Sequence, residues 1–222
     1  MKRYKSIATL LLATLLCGCA ASQRLSTEDR ARSKTVTLSE HVMKDNLTIQ
    51  APGWMNPGMM FGAIGGGVGA AAAGSLEGST AGQSITEVQA AFDAYLKENG
   101  VFIEAIVREE FESVLRESGK VVLAPPTAEN AALPVITVSV PMYGFGVTHA
   151  LGENAVPIFK ISAAMTDGTG KLMWTESEMM LPSVLSPMEA TPWVKLRTDP
   201  KVVEQDWRKA SRYIARKIIG TL

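Results

Sequence analysis

The chain has 222 residues, which is enough for one domain with a substantial hydrophobic core plus extensions. Lys and Arg together number 22, Asp and Glu also number 22, and no long run of basic residues occurs. Because nucleic-acid binding depends on neutralising phosphates with clustered Lys and Arg, this composition gives no reason to expect a nucleic-acid partner.

The N-terminal segment has the parts of a secretory signal peptide. A basic start, residues 1–5, precedes an almost wholly apolar run, residues 7–16, and the segment ends Leu16-Cys17-Gly18-Cys19. The apolar run is shorter than the roughly 20 residues that a membrane-spanning helix needs. Its last four residues resemble the lipobox of bacterial lipoproteins, in which cleavage precedes the cysteine and the cysteine is acylated. The resemblance implies a signal peptide over residues 1–18 and a lipid anchor on Cys19. The alternative is an ordinary secreted protein that is cleaved at another bond.

Removal of residues 1–18 would change both the charge and the cysteine content. The mature chain would keep 19 basic and 22 acidic residues, a net charge of about −3. Cys17 would leave with the signal peptide and Cys19 would carry lipid, so we expect neither a disulfide nor a thiolate metal site. The residue after Cys19 is Ala20 rather than Asp, which resembles enterobacterial lipoproteins sorted to the outer membrane. We therefore expect an anchor in the inner leaflet of the outer membrane, with the protein facing the periplasm.

The next segments carry weak structural signals. Residues 19–35 are polar and mixed in charge, and are expected to form a flexible, lipidated tether. Residues 36–50 alternate weakly, which predicts a short strand or none. We therefore expect residues 36–83 to form one irregular segment, the later part of which is rich in Gly and Ala.

A row of small residues recurs every four positions near the end of this region. Its members are Gly62, Gly66, Ala70, Gly74, Gly78 and Gly82. On a helix, this spacing forms a smooth stripe that another backbone can approach closely, as in a glycine zipper. The eight glycines of residues 62–82 would cost an isolated helix about 8 kcal/mol relative to Ala, so a helix here must pack against something.

Three interpretations of this glycine row are open. It is a flexible loop or a helix packed on its own domain, or a zipper that inserts into a membrane or self-associates, or a nucleotide site. The nucleotide alternative depends on residues 65–70 (GGGVGA), which match G-x-G-x-x-A. That fingerprint requires a preceding strand, and Pro57-Gly58 stands where the strand should be.

Residues 84–118 carry the clearest helical pattern. Ser84 and Glu87 fit a capping box at the start of a first helix, and Asn99-Gly100 predicts its end. A second helix is predicted from residue 101 to residue 118, with apolar residues at helical spacing and Gly119 directly after it.

The rest of the chain predicts strands and one closing helix. Residues 120–124 and 135–140 read as short strands, and residues 157–166 and 171–180 flank a Gly-containing four-residue loop, which predicts a hairpin. Asp199-Pro200 predicts the start of the last helix. Its apolar face is Val203, Trp207, Ala210, Ile214 and Ile218. Residues 84–222 are therefore expected to form an α+β domain, a small mostly antiparallel sheet with helices packed on one face.

The sequence offers little material for catalysis. Its two histidines, His41 and His149, are far apart, and the spacings H-E-x-x-H, C-x-x-C, G-x-S-x-G and the P-loop are absent. We therefore expect neither an enzyme nor a cofactor. An alternative is a Cu(I) site on Met55, Met59 and Met60 with His41, because thioethers are ligands for Cu(I). Methionine is also a common filler beside small residues.

The interpretation that is left is a non-catalytic binding or scaffolding module in the cell envelope. Its partners would be the membrane, through the lipid on Cys19, and an envelope protein or a second copy of the chain. Four aromatic residues are the candidates for an exposed contact surface: Trp54, Tyr143, Phe145 and Trp193.

Overall fold

The computed structural model describes residues 22–50, 84–147, 154–183 and 186–222. The helices in these ranges are α1 (Thr27–Arg32), α2 (Ile85–Glu98), α3 (Ile103–Ser118), α4 (Trp193–Thr198) and α5 (Pro200–Gly220), with a short 3-10 helix at Ala128–Asn130. The strands are β1 (Thr35–Lys44), β2 (Leu47–Gln50), β3 (Val122–Ala124), β4 (Val135–Val147), β5 (Asn154–Thr166), β6 (Leu172–Met180) and β7 (Thr191–Pro192).

The predicted fold class is confirmed, because the helices pack on a sheet in which most residue pairs are antiparallel. The main path of the sheet runs β3-β1-β4-β5-β6, with β2 paired to β4 and β7 paired to β5. All the pairings of β5 are antiparallel. The pairings of β1 with β3 and β4, and of β2 with β4, are parallel.

The ends of the helices follow the predicted signals. The Ser84 hydroxyl accepts a hydrogen bond from the Glu87 backbone N–H at 3.3 Å, and the Glu87 carboxylate accepts one from the Ser84 N–H at 2.8 Å. This reciprocal pair is the predicted capping box. Gly119 ends α3 with φ of 62°, a left-handed conformation that glycine adopts without steric cost.

Helix α5 confirms the predicted closing helix. The Asp199 carboxylate accepts a hydrogen bond from the Lys201 backbone N–H at 3.0 Å, and Pro200 occupies the first turn. Of the predicted apolar face, Trp207 is 1% exposed and the other members are fully buried. This stripe packs α5 against α3 and against β5 and β6.

The hairpin of β5 and β6 is also confirmed. Phe159 pairs with Met180 and Met165 pairs with Trp174 in an antiparallel ladder. In the loop, the Asp167 carboxylate accepts hydrogen bonds from the backbone N–H groups of Thr169 at 2.9 Å and Lys171 at 3.0 Å. These bonds hold the chain in the reversal between the two strands.

Trp207 lies at the centre of an aromatic cluster that joins α5 to the sheet. Its ring centroid is 5.5 Å from that of Tyr143, 5.9 Å from that of Phe145 and 6.3 Å from that of Phe159. The Tyr143 and Phe159 rings meet it edge-on and the Phe145 ring is stacked, which are the favoured geometries for aromatic pairs. The cluster fixes the position of the preceding residue, Asp206.

The N-terminal part of the described chain differs from the predicted flexible tether over residues 19–35. The Gln23 N–H and carbonyl bond to the Thr175 carbonyl and N–H at 2.9 and 3.1 Å, which attaches this segment to the edge of β6. Leu25 is buried in the core, and residues 27–32 form α1. The polar composition predicted flexibility, but the burial of Leu25 and the two backbone hydrogen bonds of Gln23 attach the segment to the domain.

The region predicted as a short strand or none is part of the sheet. Strand β1 has 10 residues and β2 has four. The register of β1 against β4 shifts between Leu38 and Val42. The shift breaks the two-residue periodicity, so the alternation in the sequence is weak although the strand is long. The domain therefore begins before residue 84. Among the described helices, none is both long and apolar enough to cross a bilayer.

Candidate binding cleft

A cleft of about 620 Å³ lies between the N-terminal half of α5 and the connection that leads from β6 to α4. This volume falls within the range of roughly 300–1,000 Å³ that is typical of ligand pockets. The apolar part of its lining consists of Pro157, Pro187, Met188, Ala190, Pro192 and Val202. The charged and amide side chains of the lining are Glu189, Lys195, Gln205, Asp206 and Lys209.

The cleft lies at a gap in the strand pairing of β5. Strand β6 ends with Met180 opposite Phe159, and β7 pairs with Asn154 and Ala155. In the described part of the chain, residues 156–158 of β5 thus have no strand partner on that side. Pro157 lies in this gap, where its missing N–H costs no hydrogen bond to β6 or β7. The absence of a neighbouring strand leaves the space that forms the cleft.

Asp206 is the most deeply buried charged residue of the cleft. It lies on the apolar stripe of α5, three residues after Val203 and four before Ala210, and it is 9% exposed. The Thr191 hydroxyl donates a hydrogen bond to Asp206 Oδ2 at 2.6 Å. Burial raises the pKa of Asp206, while the Thr191 hydrogen bond and Lys209 oppose this rise and Glu189 adds to it. The carboxyl group is therefore held against the cleft at a cost in solvation.

Although the charges of Lys209 and Glu189 act on Asp206, the other charged and amide side chains of the cleft have no direct partner among the described residues. Glu189, Lys195, Gln205 and Lys209 form no side-chain hydrogen bond or ion pair with another residue of the described ranges. Side chains that are unpaired beside a concave, largely apolar surface are available to a ligand. The cleft can thus accept hydrogen bonds at Asp206 and Glu189 and donate them from the two lysines.

A second cleft, of about 360 Å³, lies between α2 and β2. Its acidic residue, Asp93, is already paired with Lys97 at 2.5 Å and accepts a hydrogen bond from the Tyr143 hydroxyl at 3.2 Å. Burial and the nearby Asp93 carboxylate raise the pKa of Tyr143. Because its charges pair within the protein, this cleft is the weaker candidate for a ligand site.

Most of the residues predicted for sites lie outside the described residues. This holds for Cys19, for Met55, Met59 and Met60, and for the whole glycine row, Gly62, Gly66, Ala70, Gly74, Gly78 and Gly82. Lipidation, Cu(I) binding and the glycine zipper therefore stay predictions. His41 is described and lies exposed on β1. Within the described ranges, no group of three or more His, Cys, Asp or Glu side chains is arranged to hold a metal ion.

The prediction of an exposed aromatic contact surface is wrong for its three described members. Tyr143 is 1% exposed, Phe145 is fully buried and Trp193 is 6% exposed. The glycines and prolines around them indicate loops, but Tyr143 and Phe145 lie in the long strand β4 and belong to the Trp207 cluster. Trp54, the fourth member, lies outside the described residues.

Sequence reasoning missed the cleft, although one signal for it is present. Asp206 occupies a position on the apolar stripe of the last helix, between Val203 and Ala210. An acidic residue on such a stripe is either paired inside the fold or exposed to a ligand site. The gap between β6 and β7 depends on strand pairing, which the local pattern does not show.

No protein-family model matches the chain, and no curated protein matches it. A solved PelC dodecamer from Paraburkholderia phytofirmans is 10% identical, with a TM-score of 0.33, over 88% of this chain and 95% of that chain. A single-substitution variant of that dodecamer is also 10% identical, with a TM-score of 0.37, over 90% of this chain and 93% of that chain.

A Xanthomonas campestris protein described under the family model DUF330 is 13% identical, with a TM-score of 0.32, over 50% of this chain and 57% of that chain. These TM-scores and identities are too low to carry an argument about function.

Proposed function

We propose that the protein is a lipid-anchored, periplasm-facing lipoprotein of the outer membrane whose α+β domain is a non-catalytic binding or scaffolding module. The observation that carries the binding role is the cleft at Asp206. It has the volume of a ligand pocket, and Glu189, Lys195 and Lys209 of its lining form no side-chain hydrogen bond or ion pair within the described ranges.

The anchor is supported by the lipobox-like residues that end at Cys19. If Cys19 carries lipid, the domain lies close to the membrane, because Gln23 is bonded to the edge of β6. The four steps from Cys19 to Gln23 span at most about 14 Å even when fully extended. The protein would therefore act near the membrane surface rather than at the end of a long tether.

Mass spectrometry of the mature N-terminal peptide tests the anchor. We expect an acylated Cys19 as the first residue, and we expect the Cys19→Ser variant to accumulate as an unprocessed precursor. An unmodified Cys19, or cleavage at another bond, would contradict the proposed anchor. Neither result depends on the cleft.

Photo-crosslinking in intact cells tests the binding role. A photoreactive residue in place of Gln205, which lines the cleft, should give a discrete adduct that Asp206→Asn weakens. Lys201 is the matched control, because it is an exposed lysine in the first turn of α5 that does not line the cleft. Equal adducts from both positions, or none from either, would contradict binding at the cleft.

A second candidate function is self-association or membrane insertion through the glycine row. The observation that favours it is the unbroken four-residue spacing of six small residues from Gly62 to Gly82. Changing Gly66 and Gly74 to Leu improves helix propensity but blocks close approach, so a zipper oligomer should dissociate while the fold persists. An unchanged oligomeric state by light scattering would reject this candidate.

A further inference from the structure

The charges of the cleft indicate what kind of ligand it takes. We propose that the cleft binds a short peptide that carries both a cationic group, held by Asp206, and a free carboxylate, held by Lys195 and Lys209. The proposal deepens the binding role proposed above and rests on it.

Asp206 is the residue that binds the cationic group of the ligand. It is nine-tenths buried and lines the cleft, yet its only donor among the described residues is the Thr191 hydroxyl, 2.6 Å from Oδ2. A carboxylate offers about four lone-pair sites over its two oxygens, so most of its accepting capacity is unused. Lys209 acts on Asp206 electrostatically but forms no direct ion pair with it, so the buried carboxylate keeps part of its solvation cost. An ammonium or guanidinium group of the ligand that bonds to the carboxylate would offset that cost.

The two lysines indicate a second, anionic group on the ligand. Lys195 of α4 and Lys209 of α5 line the same cleft and form no ion pair with another described residue. Glu189 likewise forms no ion pair with a described residue, so the cleft presents two acidic and two basic side chains. A purely cationic ligand would meet both lysines, and a purely anionic one would meet Glu189 and Asp206. A ligand with both charges is complementary to both pairs.

The shape and the walls of the cleft favour a short peptide. Pro157, Pro187 and Pro192, with Met188 and Val202, provide apolar surface for aliphatic parts of the ligand. A volume of about 620 Å³ suits a molecule of a few residues, since ligand pockets bury most of the ligand surface. A free C-terminus supplies a carboxylate without a further acidic side chain, so a peptide of two or three residues can carry both charges.

Calorimetry on the full-length protein in mild detergent, at pH 7.5 and low salt, tests the proposal with three probe peptides. The first is lysyl-alanyl-alanine with free ends. The second is the same peptide with a C-terminal amide, which has no carboxylate. The third is N-acetyl-dialanine, which has no cation. We expect the first to bind at least about tenfold more tightly than the other two, a difference of about 1.4 kcal/mol.

Single substitutions assign each charge to its residue. Asp206→Asn should weaken the free and the amidated peptide by about tenfold or more, because both carry the cation. Lys209→Gln should weaken the free peptide and leave the amidated one unchanged. Lys201→Gln, on the same helix but outside the cleft, should change neither. If Asp206→Asn does not fold, the Lys209→Gln comparison alone decides the matter.

Three results would overturn the proposal. They are no saturable binding of the free peptide up to millimolar concentration, equal affinity for all three peptides, and an equal loss of affinity in the Lys201 control. Failure here is distinguishable from failure of the proposed function. If crosslinking from the cleft succeeds while all three peptides fail, the binding module stands and the peptide specificity is wrong.

Discussion

The two sides of helix α5 carry similar charged residues but use them differently. On the side that faces α3, Arg208 pairs with Glu109 at 2.8 Å and Glu204 at 2.9 Å, and Arg212 pairs with Glu110 at 3.0 Å. On the side that faces the cleft, Lys209 follows Arg208 directly in the chain but pairs with no described residue. Beside the cleft, the charge of Lys209 is thus unpaired among the described residues, whereas nearer the end of the same helix Lys217 pairs with Glu178 of β6 at 2.7 Å.

This difference separates charges that hold the fold together from charges that are free to bind. Burial opposes the charge of Arg208, but its hydrogen bonds to Glu109 and Glu204 raise the pKa of the guanidinium. The bond to Glu109 links two helices that are 99 residues apart in the sequence, whereas the bond to Glu204 lies within α5. Asp206, by contrast, is buried with a single hydroxyl donor. A protein retains such a group most readily where a ligand compensates for it.

The largest expected effect comes from removing the packing that both sides share. Trp207→Ala should lower the free energy of unfolding by roughly 3–5 kcal/mol, because the ring is the centre of the aromatic cluster under α5. Urea unfolding followed by circular dichroism measures this loss. The exposed Lys201→Ala change on the same helix is the control and should have little effect. A loss below about 1 kcal/mol for Trp207→Ala would mean that α5 does not depend on this cluster.

A smaller effect separates the two sides directly. Arg208→Met should cost about 0.5–1 kcal/mol at low salt, because the side chain is 35% exposed and its ion pairs are partly screened. The loss should shrink in 1 M NaCl, where the Debye length is only about 3 Å. Lys209→Met, on the neighbouring residue, should cost less than about 0.3 kcal/mol. Equal losses for the two variants would show that the two sides do not differ in charge pairing.

Much of the fold could be predicted from the sequence because its signals are local. The capping box at Ser84, the hairpin around Asp167 and the apolar face of α5 each depend on residues close in the chain. Strand β1 was predicted only as a short strand or none. Its partners, β3 and β4, lie far along the chain, and its register against β4 shifts after Leu38. Local periodicity carries no information about such pairings.

The candidate site was less predictable than the fold for the same reason. The cleft is formed where β6 ends and β7 begins along β5, and no local pattern marks that gap. Tyr143 and Phe145 were expected on the surface but lie in the core, because strand β4 continues through Pro141 and Gly144 to Val147. Asp206, an acidic residue on the apolar stripe of α5, was the one feature of the sequence that indicated the cleft.

The smallest expected effect has the opposite sign and concerns the cleft side alone. Burial raises the pKa of Asp206 in the folded protein. Between the ordinary Asp pKa, near about 4, and the raised folded value, the folded state therefore binds more protons than the unfolded state, and stability falls as the pH rises.

Asp206→Asn removes this charge but keeps an oxygen that can accept the Thr191 hydrogen bond. The variant should be more stable than the wild type at pH 7.5, and the difference should disappear as the pH is lowered towards 4. Thermal unfolding of both proteins across this pH range measures the difference, with Glu129→Gln, an exposed position in the short 3-10 helix, as the control for a general charge effect. A less stable Asp206→Asn protein at pH 7.5 would mean that Lys209 and Thr191 fully compensate the carboxylate. Asp206 would then resemble Arg208 and Arg212, because its charge would stabilise the fold itself.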